Sequence, residues 1–262
     1  MIRACIFDLG GTIVDRYSRS PFLSLKESFK RIKINISDDL IYKDMGKSKQ
    51  EHIYDILEDP NVTNDFKKLY GEYPHLEHVT QVYNIFNDIQ KERAKTIDII
   101  PETKKTIDFL KQNDIMIGVT TGFNRETTEI IKDRLEKNDI FIDKYMSSTC
   151  LNRPGRPYPH MINSIMDEFS IDNPKQVVKI DDTVVGIKEG KMAKCWTVGT
   201  TRWSTNMFVK DIDIDEEINK EELILKIRES RRILRDSNPD YIINTLDELP
   251  KVIDILGFYK KY

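Results

Sequence analysis

Four short polar clusters could together handle a phosphoryl group. Asp8-Leu9-Gly10-Gly11-Thr12 sets a carboxylate before two glycines, whose backbone N–H groups can approach an anion closely. Thr121-Gly122 offers a hydroxyl beside an N–H. Arg156, in Gly155-Arg156-Pro157-Tyr158-Pro159, supplies a guanidinium suited to bidentate contact with oxyanions. Asp182, in Asp181-Asp182-Thr183, adds a second acid. Two carboxylates (Asp8, Asp182), the Gly10 carbonyl and a substrate oxygen suit Mg²⁺, a hard cation that keeps water in its remaining positions.

The elements that must position these groups are legible in the hydrophobic pattern. Ile2–Phe7, Ile115–Val119, Val177–Ile180 and Cys195–Gly199 are short apolar runs stopped by turn residues, which read as buried strands, with Tyr241–Ile243 as a fifth. Helical periodicity covers 102–112, 124–137, 159–169 and 183–193. Strand–helix alternation means an α/β fold, a parallel sheet covered by helices on both faces, with ligands at the C-terminal ends of the strands. Each polar cluster but that of Arg156 stands at such an end; Arg156 precedes a helix. Residues 16–100 differ: they read as helices over 21–33, 37–44, 49–57, 64–70 and 78–95, a helical insert placed as a cap over the sheet edge. The expected division is a core of 1–15 and 101–262 with a cap of 16–100.

Composition excludes several classes. With 41 Lys+Arg against 44 Asp+Glu, the net charge of −3 advertises no nucleic-acid partner. No segment approaches a membrane span, and the first apolar run meets Asp8 too early for a signal peptide. Cys5, Cys150 and Cys195 lie far apart, so neither a disulfide framework nor a zinc site is expected, and the reading is cytoplasmic. His75 and His78 read as surface residues.

The order Asp8, Thr121, Arg156, Asp182 resembles the haloacid dehalogenase superfamily, whose Rossmann-like core carries a C1-type helical cap. The resemblance implies that Asp8 is a nucleophile forming an aspartyl-phosphate, that Thr121, Gly122 and Arg156 hold the phosphoryl group, and that Asp182 holds Mg²⁺. Within that superfamily, Met45-Gly46-Lys47-Ser48-Lys49-Gln50-Glu51-His52 resembles the M-G-x-x-K-x-x-H segment of the phosphonoacetaldehyde hydrolase family, as do Thr120–Phe123, Gly155–Pro159 and Trp196–Gly199. This resemblance covers essentially the whole chain. It implies that Lys49 forms a Schiff base with a substrate aldehyde, with Met45 and Gly46 against the substrate; His52, three residues on and on the same helix face, is expected within reach of the site as a catalytic residue that hydrogen-bonds and shuttles protons. It also implies a homodimer through cap helices; the apolar residues of 21–33 serve either that surface or the cap's own core.

Two positions depart from the superfamily pattern. Phosphatases of this group usually carry an acid two residues after the nucleophile; here that position is Gly10. Losing an acid that protonates an oxygen leaving group costs ~10²–10⁴-fold, whereas a carbon leaving group that passes its electrons to an iminium does not need it. The fourth motif usually reads G-D-x-x-x-D, but Gly186 stands where the last acid would be, with an additional acid at Asp181. Alternation along a strand makes Asp181 an imperfect substitute. The expected activity is therefore Mg²⁺-dependent hydrolysis of a C–P bond in a small phosphonate. The alternatives are another phosphatase or phosphotransferase of the superfamily, and an impaired binding protein on the same fold.

Overall fold

The computed structural model describes residues 1–209 and 218–258. Six parallel strands, β1 (Ala4–Phe7), β2 (Met116–Thr121), β3 (Lys144–Ser147), β4 (Val177–Asp181), β5 (Trp196–Thr200) and β6 (Tyr241–Ile243), form one sheet in the order β3-β2-β1-β4-β5-β6. The strand order reverses between β1 and β4, and the C-terminal ends of the strands at such a switch point open a crevice. Register sets Phe7 opposite both Val119 and Ile180, so Asp8 emerges level with the ends of β2 and β4.

Alternation along β1 explains its two-sided burial. Cys5 and Phe7 join the apolar cluster that includes Ile107, Leu110 and Ile131, from α6 (Thr103–Gln112) and α7 (Arg125–Glu136). Ala4 and Ile6 join the opposite cluster with Ile162 and Ile165 of α8 (His160–Glu168). The sequence reading omitted β3; its Lys-Tyr-Met-Ser is too short and too polar to stand out as an apolar run, and it pairs at the sheet edge beside β2.

Between β1 and β2 the chain forms α1 (Arg19–Arg31), α2 (Asp38–Lys43), α3 (Lys49–Leu57), α4 (Pro60–Tyr70) and α5 (Leu76–Ala94). Helix α4 begins four residues before the expected start. The Asp59 carboxylate accepts from Asn61 N (3.0 Å) and Val62 N (3.4 Å), and Pro60 takes the first helical position, where its missing N–H costs nothing. These helices bury their own apolar cluster. Phe22, Leu25 and Phe29 of α1 lie in it with Val82 and Phe86 of α5, so the apolar residues of 21–33 serve the interior of the insert, resolving the choice between core and dimer surface.

Two crossings join the insert to the sheet. Val14 and Ile99 form an antiparallel bridge, and Ile100 N donates to Ile13 O at 3.1 Å. On the first crossing Asp15, Tyr17 and Ser18 all have positive φ, and the Asp15 carboxylate accepts from Ser20 N at 3.0 Å. The remaining helices α9 (Val184–Met192), α10 (Lys220–Arg235) and α11 (Leu249–Phe258) follow β4, β5 and β6.

Phe86 is fully buried between the two long helices of the insert. Phe86→Ala is expected to lower stability by about 3–5 kcal/mol, read from urea unfolding.

Candidate active site

Asp8 leaves β1 and donates its own N–H to Ile180 O (2.9 Å), which fixes it at the β1/β4 crevice. Its Oδ1 accepts from Arg156 Nη2 at 2.8 Å, with both side chains buried. Arg156 is held from the other side by Glu189, whose Oε2 lies 2.9 Å from Nε, and its Nη2 also donates to Thr120 Oγ1 at 2.9 Å. Lys179, in the middle of β4, donates to the same Thr120 Oγ1 (2.8 Å) and lies 3.0 Å from Asp181 Oδ2 and 3.6 Å from Glu189. Sequence reasoning missed Thr120, Lys179 and Glu189. The signal was Lys179 itself: a lysine inside a fully apolar strand must find a buried counter-charge.

Asp182 stands beyond the last residue of β4, where Thr205 N donates to its Oδ2 at 2.8 Å. Gly11, at φ +72°, lets that carboxylate come close: a Cβ there would stand 2.4 Å from Asp182 Oδ2. Carboxylate oxygens of Asp8, Asp181 and Asp182 lie within 4.8 Å of one another. Strand alternation therefore does not separate Asp181 from Asp182, because the strand ends between them. Burial and the Asp181 and Asp8 charges push Asp182 well above the ordinary carboxylate range. Burial likewise raises Asp8, against the pull of Arg156. Burial also works against the charge on Asp181, but Lys179, Arg156 and the Thr183 hydrogen bonds hold it below its ordinary value. Four buried acidic groups (Asp8, Asp181, Asp182, Glu189) thus lie around the ion pairs of Arg156 and Lys179, and a divalent cation beside Asp8 and Asp182 would offset the negative excess. The donor chemistry, all oxygen, fits Mg²⁺.

The insert closes this edge. Lys49 opens α3 behind the N-cap Ser48 and is 4 % exposed; its Nζ contacts Met45 Sδ at 3.7 Å. Asp8, Gly10, Met45, Gly46, Lys49, Thr121, Gly122 and Arg156, eight of the ten anticipated residues, line one cavity of about 30 Å³ with Ser18 and Phe123 among its other walls. The two others stand apart from it. Asp182 lies behind Gly11. His52 is wholly buried in the insert, its ring nitrogens near the Leu40 and Ile41 backbone without hydrogen-bond geometry. Burial and the neighbouring Lys49 hold His52 neutral, well below its usual pKa. Burial also lowers Lys49, to about 8, with Arg156 acting in the same direction and Asp8 against it.

Two glycines make the closure possible. Gly46 has φ +97°, and a Cβ there would stand 2.7 Å from Thr183 Oγ1; a Cβ on Gly122 would stand 2.5 Å from Lys47 O. The loop before α3 therefore meets the turn after β2 backbone to backbone, and its Gly46 lies against the Thr183 and Val185 side chains after β4.

Among known proteins, the sequence pattern of haloacid dehalogenase-like hydrolases matches residues 2–194. A phosphonoacetaldehyde hydrolase of Pseudomonas fluorescens is 30% identical over 253 residues, covering 96% of this chain and 91% of that protein. One from Latilactobacillus sakei is 31% identical, covering 96% and 95%. The crystal structure of a phosphonoacetaldehyde hydrolase-like protein from Oleispira antarctica superposes with a TM-score of 0.93 at 25% identity, over 97% of this chain and 92% of that one. A β-phosphoglucomutase from Clostridium difficile shares the fold, with a TM-score of 0.69 at 19% identity over 99% of each chain.

Two outcomes follow from this geometry. Glu189→Gln puts a neutral amide where Arg156 Nε (2.9 Å) and Lys179 (3.6 Å) now meet a carboxylate and is expected to cost about 1–3 kcal/mol, read from chemical unfolding. Gly122→Ala is expected to keep the melting temperature while holding the insert away from the sheet, seen as a larger radius of gyration in solution scattering.

Proposed function

Because the chain belongs to the haloacid dehalogenase-like hydrolases, and among them is a phosphonoacetaldehyde hydrolase-like enzyme, we propose that it cleaves the C–P bond of phosphonoacetaldehyde to acetaldehyde and phosphate through a Schiff base on Lys49. The observation that carries this reading is a buried lysine of lowered pKa sharing one small cavity with Asp8. An amine must be neutral to attack a carbonyl, and burial at the positive end of a short helix favours the neutral form.

The steps balance. Neutral Lys49 Nζ adds to the aldehyde carbon, and the adduct takes up one proton and loses water to give an iminium; that proton is returned when the iminium is finally hydrolysed. A carboxylate oxygen of Asp8 attacks phosphorus as the C–P bond breaks, and the bonding electrons pass into the iminium to give an enamine on Lys49 and an acyl phosphate on Asp8. Water releases phosphate from Asp8. The enamine takes a proton on carbon and a second water frees acetaldehyde, so one water is consumed overall. The leaving group is carbon, which accounts for glycine at position 10 where an oxygen leaving group would call for an acid. Arg156, fixed by Glu189 and Thr120, would receive the phosphonate oxygens together with Thr121 and the Gly122 N–H. Asp8, Asp182 and the Gly10 carbonyl would hold Mg²⁺, which when bound screens the phosphonate charge from the Asp8 carboxylate. Met45 and Gly46 would flank the substrate, and neutral His52 would keep the Lys49 surroundings free of a second charge. A cavity of about 30 Å³ has room for little more than a water molecule, so the substrate enters with the insert (residues 16–100, a cap domain in this reading) swung away from the core (1–15 and 101–262).

Among the described residues no helix is long and apolar enough to cross a membrane, and Cys5, Cys150 and Cys195 are free thiols. These support a cytoplasmic enzyme acting on a small soluble phosphonate. A homodimer through the cap belongs to the same reading, with Leu69, Tyr73 and Leu76 as its exposed apolar residues; sedimentation at micromolar concentration checks it.

Borohydride added with phosphonoacetaldehyde is expected to leave a reduced adduct on Lys49, located by peptide mass mapping, and Lys49→Arg to release no acetaldehyde. Absence of the adduct, or turnover of a phosphate ester undiminished in Lys49→Arg, favours a phosphatase instead. Adduct formation should rise about tenfold per pH unit and level off above about pH 8, because the ammonium form prevails below that value.

A further inference from the structure

The proposed reaction gives roles to Asp8 and Asp182 but none to Asp181, the last residue of β4. Asp181 is completely buried. Its Oδ1 accepts from Thr183 N (2.9 Å) and Thr183 Oγ1 (2.7 Å). Its Oδ2 accepts no bond of hydrogen-bond geometry; it lies 3.0 Å from Lys179 Nζ and 3.6 Å from Arg156 Nη1. This is the carboxylate that stands with Asp8 and Asp182 around the candidate cation position.

What faces Asp181 is the first turn of α9. A Cβ on Gly186 would fall 1.9 Å from Asp181 Oδ2 and 2.1 Å from its Cγ, inside the carboxylate itself. The backbone gives no reason for glycine here. Gly186 lies within α9 and its φ is not positive, so glycine costs roughly 1 kcal/mol against alanine in a helix. The three atoms nearest to where its Cβ would stand all belong to the Asp181 carboxyl group. One side chain ties the two positions together: Thr183 Oγ1 donates to Asp181 Oδ1 and accepts from Gly186 N at 3.1 Å. A side chain rooted at 186 would begin where the Asp181 carboxylate now ends, pointing at the same Lys179, Arg156 and Asp8.

We infer that Asp181 is a positioning residue of this site, and that residues 181 and 186 form one exchangeable pair in which a single carboxylate is supplied from the strand end instead of from the helix. Seated there, Asp181 holds Arg156 toward Asp8 and adds a third negative group around the cation. Its role toward Mg²⁺ rests on the function proposed above. The missing acid of the fourth motif is then relocated, and the site keeps its full charge.

The test is a reciprocal exchange. Gly186→Asp places two carboxylates in one volume and Asp181→Gly removes the only one. Each is expected to weaken Mg²⁺ binding about 10–100-fold, measured by calorimetry without substrate. Gly186→Asp should also lower the melting temperature of the metal-free protein. The double variant Asp181→Gly/Gly186→Asp is expected to regain Mg²⁺ affinity to within about threefold of the parent, together with its melting temperature, a strongly non-additive cycle. A double variant no better than the weaker single overturns the inference. Should Gly186→Asp fail to fold, Asp181→Asn, of the same shape, decides the question. It is expected to fold and bind Mg²⁺ at least about tenfold more weakly, and parental affinity overturns the pairing. A parent that binds Mg²⁺ but releases no acetaldehyde defeats the proposed reaction while leaving the exchange standing. A parent that binds no Mg²⁺ defeats this inference.

Discussion

Charge that is taken out of water must be matched by charge, and at the C-terminal edge of this sheet that rule governs everything else. Asp8, Asp181, Asp182 and Glu189 are buried together, and among the described residues their buried ion pairs are with Arg156 and Lys179. Each cation touches more than one carboxylate, and Thr120 Oγ1 joins both cations. A network this interdependent fixes its members in place, because removing one leaves another buried and unpaired. It also leaves an excess of negative charge, which gives a divalent cation a reason to bind there. The glycines at 11 and 186 follow from the same constraint: each stands where a carboxylate comes too close for any side chain.

The second determinant is dryness. The loop before α3 reaches the turns after β2 and β4 only because residues 46 and 122 carry no side chain. That contact shrinks the site to about 30 Å³ and takes Lys49 out of water, and burial in turn lowers the lysine's pKa toward 8. In the proposed reaction, closure and amine activation would therefore be one event. With the cap displaced, Lys49 would regain hydration and its ordinary ammonium character. In the proposed reaction the enzyme would thus generate its nucleophilic amine only around an enclosed substrate.

The two departures in the superfamily motifs have different meanings. Glycine at position 10 removes a proton donor, and the proposed chemistry has no leaving oxygen to protonate. Gly186 removes no charge at all if Asp181 stands in for it, since the volume a side chain there would need is already filled by a carboxylate. One departure bears on which bond breaks; the other is a rearrangement of the same electrostatic site.

Sequence by itself determined the α/β architecture, the helical insert and most of the cavity wall. Those features are written in local signals: apolar runs of strand length, helical periodicity, and polar residues at strand ends. Asp8, Gly10, Thr121 and Gly122 line the cavity because the strand ends of a parallel sheet must converge; Met45, Gly46 and Lys49, which reach it from the insert, were anticipated from the family resemblance. Edge strand β3 escaped notice because a short, half-polar strand has no local signature. Helix α4 was placed late because Asp59-Pro60 was not read as a helix start. Only the tertiary structure decided the partners of the buried charges. Lys179 and Glu189 are ten residues apart, and nothing local says that they pair with each other or that Glu189 also takes an arginine from a distant loop. Nor could strand periodicity say that Asp181 and Asp182 share a site, because the periodic rule lapses where the strand stops. Ion pairing acts through space and excluded volume between distant segments, and neither leaves a pattern along the chain until the fold brings them together.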